Sequence, residues 1–222
     1  MSRMLITTNG INVTDFAIGS FGNKQTDAVG ANIFKQICAK FTACIRQLGG
    51  TRAGEVQAHR FLENEKVTID AINKGTLSNT NENCIGIKHV ICPLDTVVSG
   101  YPTQPNMKQE FSTTTHEDTQ GFHLHGSLLM NAENKQVLGV GHLNPWVRSI
   151  ILETDTQHKL PEEKESFKWQ NCVQNVISNV INPERLTFVA DREADILSLF
   201  EYIVGENRDF IIRAQHDRTL FT

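Results

Sequence analysis

Residues 189–200, VADREADILSLF, join an apolar run to a helical pattern through four charged residues. The run Leu186–Ala190 has the character of a buried strand, and Glu193–Val204 places apolar residues at helical spacing. Asp191 therefore directly follows a predicted strand. Strand and helix in alternation predict an α/β fold in which helices cover a sheet.

The sequence on either side extends this pattern. Phe122–Met130 and Gln136–His142 flank the polar turn 131–135, which predicts a β-hairpin. The other predicted elements are a strand over Cys84–Cys92, a helix over Glu162–Ile181 and a strand over Asp209–Ala214. A hairpin followed by alternating strands and helices indicates a mixed sheet flanked by helices.

The first part of the chain has a helical character instead. Apolar residues from Asp27 to Leu48 recur at spacings of three and four, which predicts one helix. A second helix is predicted over roughly Ala53–Leu62, and Thr68 is a suitable N-cap for a third. We therefore expect a small all-helical domain over residues 1–76, an Asn-rich linker over 77–83 and the α/β domain over 84–222.

Composition limits the classes of function. The net charge is −4, which is not that of a wholly basic nucleic-acid binder. Residues 1–63 nevertheless carry a local charge of +3, which leaves −7 for the rest, so a DNA-facing surface should include the N-terminal part. The sequence has no apolar run of membrane-spanning length and no signal-peptide core, which predicts a cytoplasmic protein with no membrane partner. The five scattered cysteines contain no C-x-x-C pair and predict reduced thiols.

Two aspartates, Asp95 and Asp191, each follow a strand-like run in the same predicted sheet. If their strands are neighbours, the carboxylates converge into a site of oxygen ligands, which Mg²⁺ and Mn²⁺ prefer. A two-metal site of this kind activates a hydroxyl and stabilises a leaving oxygen. Alternatively, Asp191 caps the helix that follows and Asp95 begins a turn.

The histidines allow a different site. His123 and His125 share one face of a strand, and His142 joins them across the hairpin if Lys135 belongs to the turn. Structural histidines with ordinary partners are the alternative interpretation.

A basic group, Arg192, Arg213, His216 and Arg218, falls near the ends of the last helix and strand. The planar guanidinium group of arginine binds two phosphate oxygens at once, so these residues suit a nucleic-acid backbone. Surface ion pairs with Glu193, Asp209 or Asp217 would explain the same residues.

Several ordered motifs resemble one family. The stretch Val189–Ile196, VADREADI, resembles the block around the second catalytic aspartate of DDE-class transposases from bacterial insertion sequences, in the branch of the transposon-five transposase. Leu94-Asp95-Thr96, with Tyr101 six residues on, is similar to the segment bearing the first catalytic aspartate. Three further motifs are similar: EKES-x-KW over 163–169, IIR-x-x-H-x-R over 211–218, and HRFL-x-N followed by VT over 59–68.

The resemblance implies a ribonuclease-H-like catalytic core behind a helical DNA-binding domain. In an intact family member Asp95 and Asp191 would be catalytic ligands of two Mg²⁺ or Mn²⁺ ions. The DNA-binding residues it implies are Lys24, Arg60, Arg192, Arg213, His216 and Arg218. The implied partners are the double-stranded DNA of transposon ends and a second copy or a full-length transposase, in a bacterial cytoplasm and at the nucleoid when bound to DNA.

The sequence departs from the family at two places. The third ligand is a glutamate in a Y-x-x-R-x-x-x-E-x-x-x-x-x-x-K signature, whereas Tyr202 is followed three residues on by Gly205, and the sequence ends at Thr222. Where the family often has adjacent arginines, Lys24 is the single cation of residues 22–26. We therefore expect the N-terminal portion of a transposase, inactive alone.

Two alternatives remain at this point. One is a non-catalytic fragment that binds DNA or a transposase and inhibits transposition. The other is a zinc protein that uses the histidines.

Overall fold

The computed structural model describes residues 18–100, 112–113, 120–147, 160, 164–181 and 183–217. The chain divides into two compact units, Met1–Glu82 and Asn83–Thr222. None of the helices in the described part combines the length and the apolar character that crossing a membrane requires.

The first unit is helical, as predicted. Its helices are α1 (Lys24–Lys40), α2 (Ile45–Gly49), α3 (Arg52–Leu62) and α4 (Ile69–Cys84). Side chains cap three of them: Asn23 accepts from the Thr26 N–H at 2.9 Å, Thr51 from Gly54 at 3.1 Å and Thr68 from Ala71 at 3.1 Å. The predicted N-cap at Thr68 is confirmed.

The single helix predicted from Asp27 to Leu48 is wrong, because α1 ends at Phe41. Phe41 adopts a left-handed conformation (φ 51°, ψ 42°) and its side chain is 85% exposed. The Thr42 hydroxyl then accepts the Cys44 N–H at 3.2 Å, a local bond that competes with helix continuation. The apolar spacing continues through residues 41–44, but the helical conformation of the backbone does not.

Close backbone approaches hold the helical unit together. The Phe21 and Phe61 rings meet edge to face at 5.2 Å, and Gly30 of α1 lies against Phe61. Gly54 of α3 lies so near α2 that a Cβ built on it would be 2.2 Å from the Gly49 carbonyl oxygen. Glycine at position 54 is therefore required for these two helices to pack.

The segment predicted as a linker, residues 77–83, is helical and belongs to α4. Its polar side chains bond to the preceding turn of the helix: Asn79 Nδ2 donates to the Gly75 carbonyl at 3.0 Å and Thr80 Oγ1 to the Thr76 carbonyl at 2.8 Å. Asparagine and threonine are therefore accommodated inside a helix here, although their composition is typical of a loop.

In its described residues the second unit contains a mixed sheet and two α-helices. In chain order its elements are β1 (His89–Gly100), β2 (Ser112–Thr113), β3 (Gln120–Asn131), β4 (Val137–Trp146), α5 (Phe167–Asn179), β5 (Arg185–Ala190), α6 (Leu197–Gly205) and β6 (Asp209–Ile212). The predicted hairpin is confirmed as β3 and β4. The predicted strand Cys84–Cys92 is misplaced, because Cys84 ends α4 and the strand runs from His89 past Asp95 to Gly100.

The strand order identifies the sheet. β1 is central and pairs antiparallel with β3 and parallel with β5. β4 lies outside β3, β6 pairs parallel with β5, and the short β2 pairs with the start of β3. Three antiparallel strands followed by two parallel ones, in the order β4-β3-β1-β5-β6, form a ribonuclease-H-like sheet. The predicted fold class is confirmed.

Helices α5 and α6 contact each other, so they lie on the same face of this sheet. α5 packs against β3 and β4 through a row of buried side chains, namely Trp169, Cys172, Val173 and Val176, and α6 contributes Leu199 and Ile203. From the sheet, Val90, Cys92, Leu129 and Phe188 are each fully buried. This core fixes which face of each strand is covered.

Candidate active site

The parallel pairing of β1 and β5 brings the two predicted aspartates side by side. Pro93 is the register partner of Val189, and each aspartate lies two residues beyond that pair. Neighbouring strands are about 4.8 Å apart. Asp95, within β1, and Asp191, one residue past the end of β5, therefore lie equally far beyond the last pair of the two strands.

Both carboxylates also project from the same face. His89 Nε2 and Thr187 Oγ1 are 2.9 Å apart, so these two residues share one face of the sheet. Asp95 is six residues after His89 within β1, and even separations along a strand preserve the face. Asp191 is four residues after Thr187 and one past the end of β5, and its backbone is still extended (φ −80°, ψ −171°), so the alternation assigns it to the same face. Cys92, whose pKa is raised by burial and then by the neighbouring Cys172 thiol of α5, lies on the opposite, helix-covered face.

Each carboxylate is exposed and accepts one backbone hydrogen bond. Asp95 Oδ1 accepts from the Thr96 N–H at 2.7 Å. Asp191 Oδ1 accepts from the Glu193 N–H at 2.9 Å and so caps a 3-10 turn over Arg192–Ala194. Asp191 is thus a cap, as one interpretation predicted, but of this short turn and not of α6, whose N-cap is Ile196. The capping bond uses only one of its two oxygens. Asp95, in contrast, lies inside a strand and begins no turn.

The donor set suits a hard divalent cation. Mg²⁺ is commonly bound through one or two carboxylates, with waters and substrate phosphates completing its coordination. Two exposed aspartates on one face provide that minimum. Within the described ranges, no group of three or more His, Cys, Asp or Glu side chains is arranged to hold a metal ion.

The predicted DNA-binding residues of the second unit lie, where the structure describes them, on two neighbouring segments. Arg192 is exposed on the 3-10 turn that Asp191 caps, and Arg213 and His216 are exposed beyond the end of β6. The Arg213 N–H donates to the Ala190 carbonyl at 3.3 Å, which keeps the chain after β6 beside the end of β5. Arg218 lies outside the described residues.

Two of the three acids offered as alternative partners, Asp209 and Glu193, have other contacts. Asp209 pairs with Arg185 at 2.5 Å and Glu193 lies 4.0 Å from Lys168.

Asp195 has a role that the sequence did not reveal. Its side chain is only 5% exposed, and Oδ2 accepts the backbone N–H groups of Gln215 at 2.6 Å and His216 at 2.8 Å. The sequence signal that could have identified this role is a second aspartate only four residues after Asp191, within the same motif.

The histidines have structural partners. His125 is fully buried, with Nδ1 2.9 Å from Thr96 Oγ1 and its ring edge-on to Trp169. His123 stacks on Trp146 at 4.4 Å. Ser127 pairs with His142, so the register does bring His142 to the same face. Burial first, then Lys168 and His142, lower the pKa of His125 to about 4, so this ring is neutral near pH 7.

Lys168 is a further charged residue that sequence analysis did not select. Its ammonium group lies 5.6 Å from the centre of Trp146 and 5.8 Å from that of Trp169. It also lies 3.5 Å from Glu165 and 4.0 Å from Glu193. Lys168 therefore links the start of α5 to the turn that follows Asp191. The EKES-x-KW motif contains it and was the available signal.

In the helical unit, Lys24 and Arg60 are both exposed. A groove of about 700 Å³ runs between the start of α1 and the end of α3, where Gln25, Thr26 and Arg60 are among the lining residues. Lys24, the first residue of α1, directly precedes the lining residue Gln25.

No protein-family model matches the chain. Among solved structures, it is similar to a piggyBac transposase synaptic complex with hairpin DNA, with a TM-score of 0.39 and 8% identity over 87% of this chain and 42% of that one. It is also similar to the Mos1 strand transfer complex, with a TM-score of 0.31 and 10% identity over 83% of this chain and 57% of that one. The chain thus spans less than two thirds of either protein.

Proposed function

We propose that the chain is the portion of a DDE transposase that contains the DNA-binding helices and the first two catalytic carboxylates. The finer proposal is a bacterial insertion-sequence enzyme of the transposon-five branch. The observation that carries it is the parallel pairing of β1 and β5, in which Asp95 and Asp191 stand on one face, two residues beyond the Pro93–Val189 pair.

Asp95 and Asp191 would hold the divalent cation, Mg²⁺ or Mn²⁺, of which an intact family member binds two. When bound, such ions supply activation of a water or 3′-hydroxyl and stabilisation of the leaving oxygen. The two carboxylates would hold the ions beside a DNA phosphate. The partner is the double-stranded DNA of transposon ends, bound by a dimer or together with a full-length transposase.

The basic residues would position that DNA without reading its sequence. Arg192, Arg213 and His216, together with Arg218, would contact phosphates beside the carboxylates. Lys24 and Arg60 would contact phosphates from the helical unit. Each lost contact reduces both the affinity and its dependence on salt.

Two carboxylates instead of three should leave the chain nearly inactive by itself. We expect Mg²⁺-dependent nicking of supercoiled DNA by the isolated chain to be near background, because a two-metal site then lacks an anionic ligand. Robust nicking that disappears in Asp191→Ala would contradict this expectation.

Metal binding tests the proposal directly. Titration with Mn²⁺, followed by the loss of the free-ion electron paramagnetic resonance signal, should show binding that Asp95→Asn and Asp191→Asn each weaken about tenfold or more, since each removes a charged ligand. Asp70→Asn, an exposed aspartate of α4, is the matched control and should bind as the parent does. Equal Mn²⁺ affinity in all four proteins would refute the assignment of these ligands.

The second candidate function is a non-catalytic fragment that inhibits transposition. It is favoured by the compactness of the helical unit and by the absence of a third metal-ligating side chain beside the two aspartates among the described residues. Added to a full-length transposase that uses the same ends, such a fragment should lower transposition, and the double variant Lys24→Ala/Arg60→Ala should lower it less. Undiminished transposition at saturating fragment would exclude this role.

A further inference from the structure

Asp195 is the buried carboxylate that the proposed metal site does not use. Its side chain is 5% exposed, and one oxygen, Oδ2, accepts two consecutive backbone N–H groups, from Gln215 at 2.6 Å and His216 at 2.8 Å. Hydrogen bonds to an ionised acceptor are stronger than those between neutral groups. Burying a carboxylate is costly unless it is bonded in this way.

The position of Asp195 connects two segments of the proposed site. Its own N–H donates to the Arg192 carbonyl at 3.2 Å and so closes the 3-10 turn that Asp191 begins. The Arg213 N–H donates to the Ala190 carbonyl at 3.3 Å. The segment 213–216 is therefore tied at two points to the residues that flank Asp191.

We infer that Asp195 is a positioning residue that holds the segment 213–216, with Arg213 and His216, in the conformation that contacts DNA phosphate. This inference rests on the proposed function. All four residues of the segment are exposed, and these bonds tie its backbone to the turn that follows Asp191. A segment fixed before binding loses less conformational entropy when the phosphate arrives, which favours affinity.

The direction of the change in DNA affinity distinguishes a positioning role of Asp195 from a simple effect of its negative charge. Asp195 is negative, so removing its charge should by itself strengthen binding to DNA. Positioning predicts weaker binding instead. Glu201→Ala removes one negative charge from an exposed residue of α6 and is the matched control.

The experiment measures the affinity of the full chain for a short fluorescein-labelled duplex of mixed sequence, over a series of salt concentrations and without divalent ions. Asp195→Ala should weaken binding several-fold and lower the dependence on salt, as Arg213→Ala does. In an Arg213→Ala/His216→Ala background, Asp195→Ala should have almost no further effect, because it acts through those residues. Glu201→Ala should bind as tightly as the parent or slightly more tightly.

Hydrogen exchange supplies an independent readout in the free protein. In Asp195→Ala the amides of Gln215 and His216 should exchange on the order of tenfold faster or more, while those of β5 stay protected. Asp195→Asn retains an acceptor oxygen and should give intermediate values of both exchange and affinity. If Asp195→Ala fails to fold, Asp195→Asn alone tests the positioning role. Weaker DNA binding together with faster exchange at these two amides would support it.

Faster exchange with unchanged or tighter DNA binding would overturn the positioning role. Unchanged exchange at both amides would overturn it too. A parent chain that does not bind the duplex at all would refute the proposed function, and that failure is seen before any Asp195 variant is compared.

Discussion

Acidification should destabilise the second unit through the buried residue His125. Burial first, and then the charges of Lys168 and His142, lower the pKa of His125 from its ordinary 6.5 to about 4. A histidine with a depressed pKa in the folded state binds its proton more readily when the protein is unfolded. The free energy of unfolding therefore falls as the pH drops from 6.5 towards 4, and His125 makes no further contribution outside that window.

The size of the pKa shift of His125 determines how much stability is lost. A displacement of one pKa unit corresponds to about 1.4 kcal/mol, so the full window is worth about 3 kcal/mol, of which about 2 kcal/mol is lost between pH 7 and pH 5. His125 is fully buried, so solvent screening does little to reduce this value.

Urea unfolding followed by tryptophan fluorescence measures the free energy of unfolding of the second unit selectively. The chain has two tryptophans, Trp146 and Trp169, and both belong to the second unit. His125→Gln should lose about 2 kcal/mol less than the parent between pH 7 and pH 5, because glutamine does not titrate. His216→Gln, at an exposed histidine of the same unit, should retain the pH dependence of the parent. An identical pH dependence in the parent and His125→Gln would refute the argument.

Two further substitutions test the packing, one in each unit. Gly54→Ala should destabilise the helical unit by about 1–3 kcal/mol, because its Cβ would lie 2.2 Å from the Gly49 carbonyl oxygen. Circular dichroism melting measures the loss, and Gln57→Ala, at an exposed position of α3, is the control that should change the stability little. Trp169→Ala should destabilise the second unit by about 3–5 kcal/mol, since the residue is 2% exposed and its ring packs on His125. Urea unfolding followed by the fluorescence of Trp146 measures this loss of stability. A loss below about 1 kcal/mol would contradict the assignment of Trp169 to the core.

The sequence predicted the sheet because its signals are local and repeated. The hairpin has a polar turn between two alternating runs, and the β5 run is short, apolar and followed by Asp191. These features determine strand identity before any long-range contact is known. Pairing of β1 with β5 joins residues far apart in the chain, and the motif resemblance rather than periodicity led to it.

The errors arose where single residues override a pattern. Phe41 continues the apolar spacing of α1, yet its left-handed backbone ends the helix and exposes its ring. Asn79 and Thr80 have the composition of a loop, but their side chains bond to the preceding turn of α4. Asp195 could not be separated from Glu193 by sequence, because burial and the bonds to Gln215 and His216 depend on where β6 ends.

The position of Asp95 inside β1 has a consequence for motion. Its backbone is paired with Gly126 of β3, and the strand continues five residues beyond it to Gly100. Movement of that backbone requires the ladder to open, which in a central strand approaches the cost of unfolding the unit. Asp191 lies past the last residue of β5 and begins a 3-10 turn, so its backbone is held by that turn and not by a strand ladder. If the two carboxylates bind metal ions as proposed, any adaptation to ions of different size should therefore come from the Asp191 side.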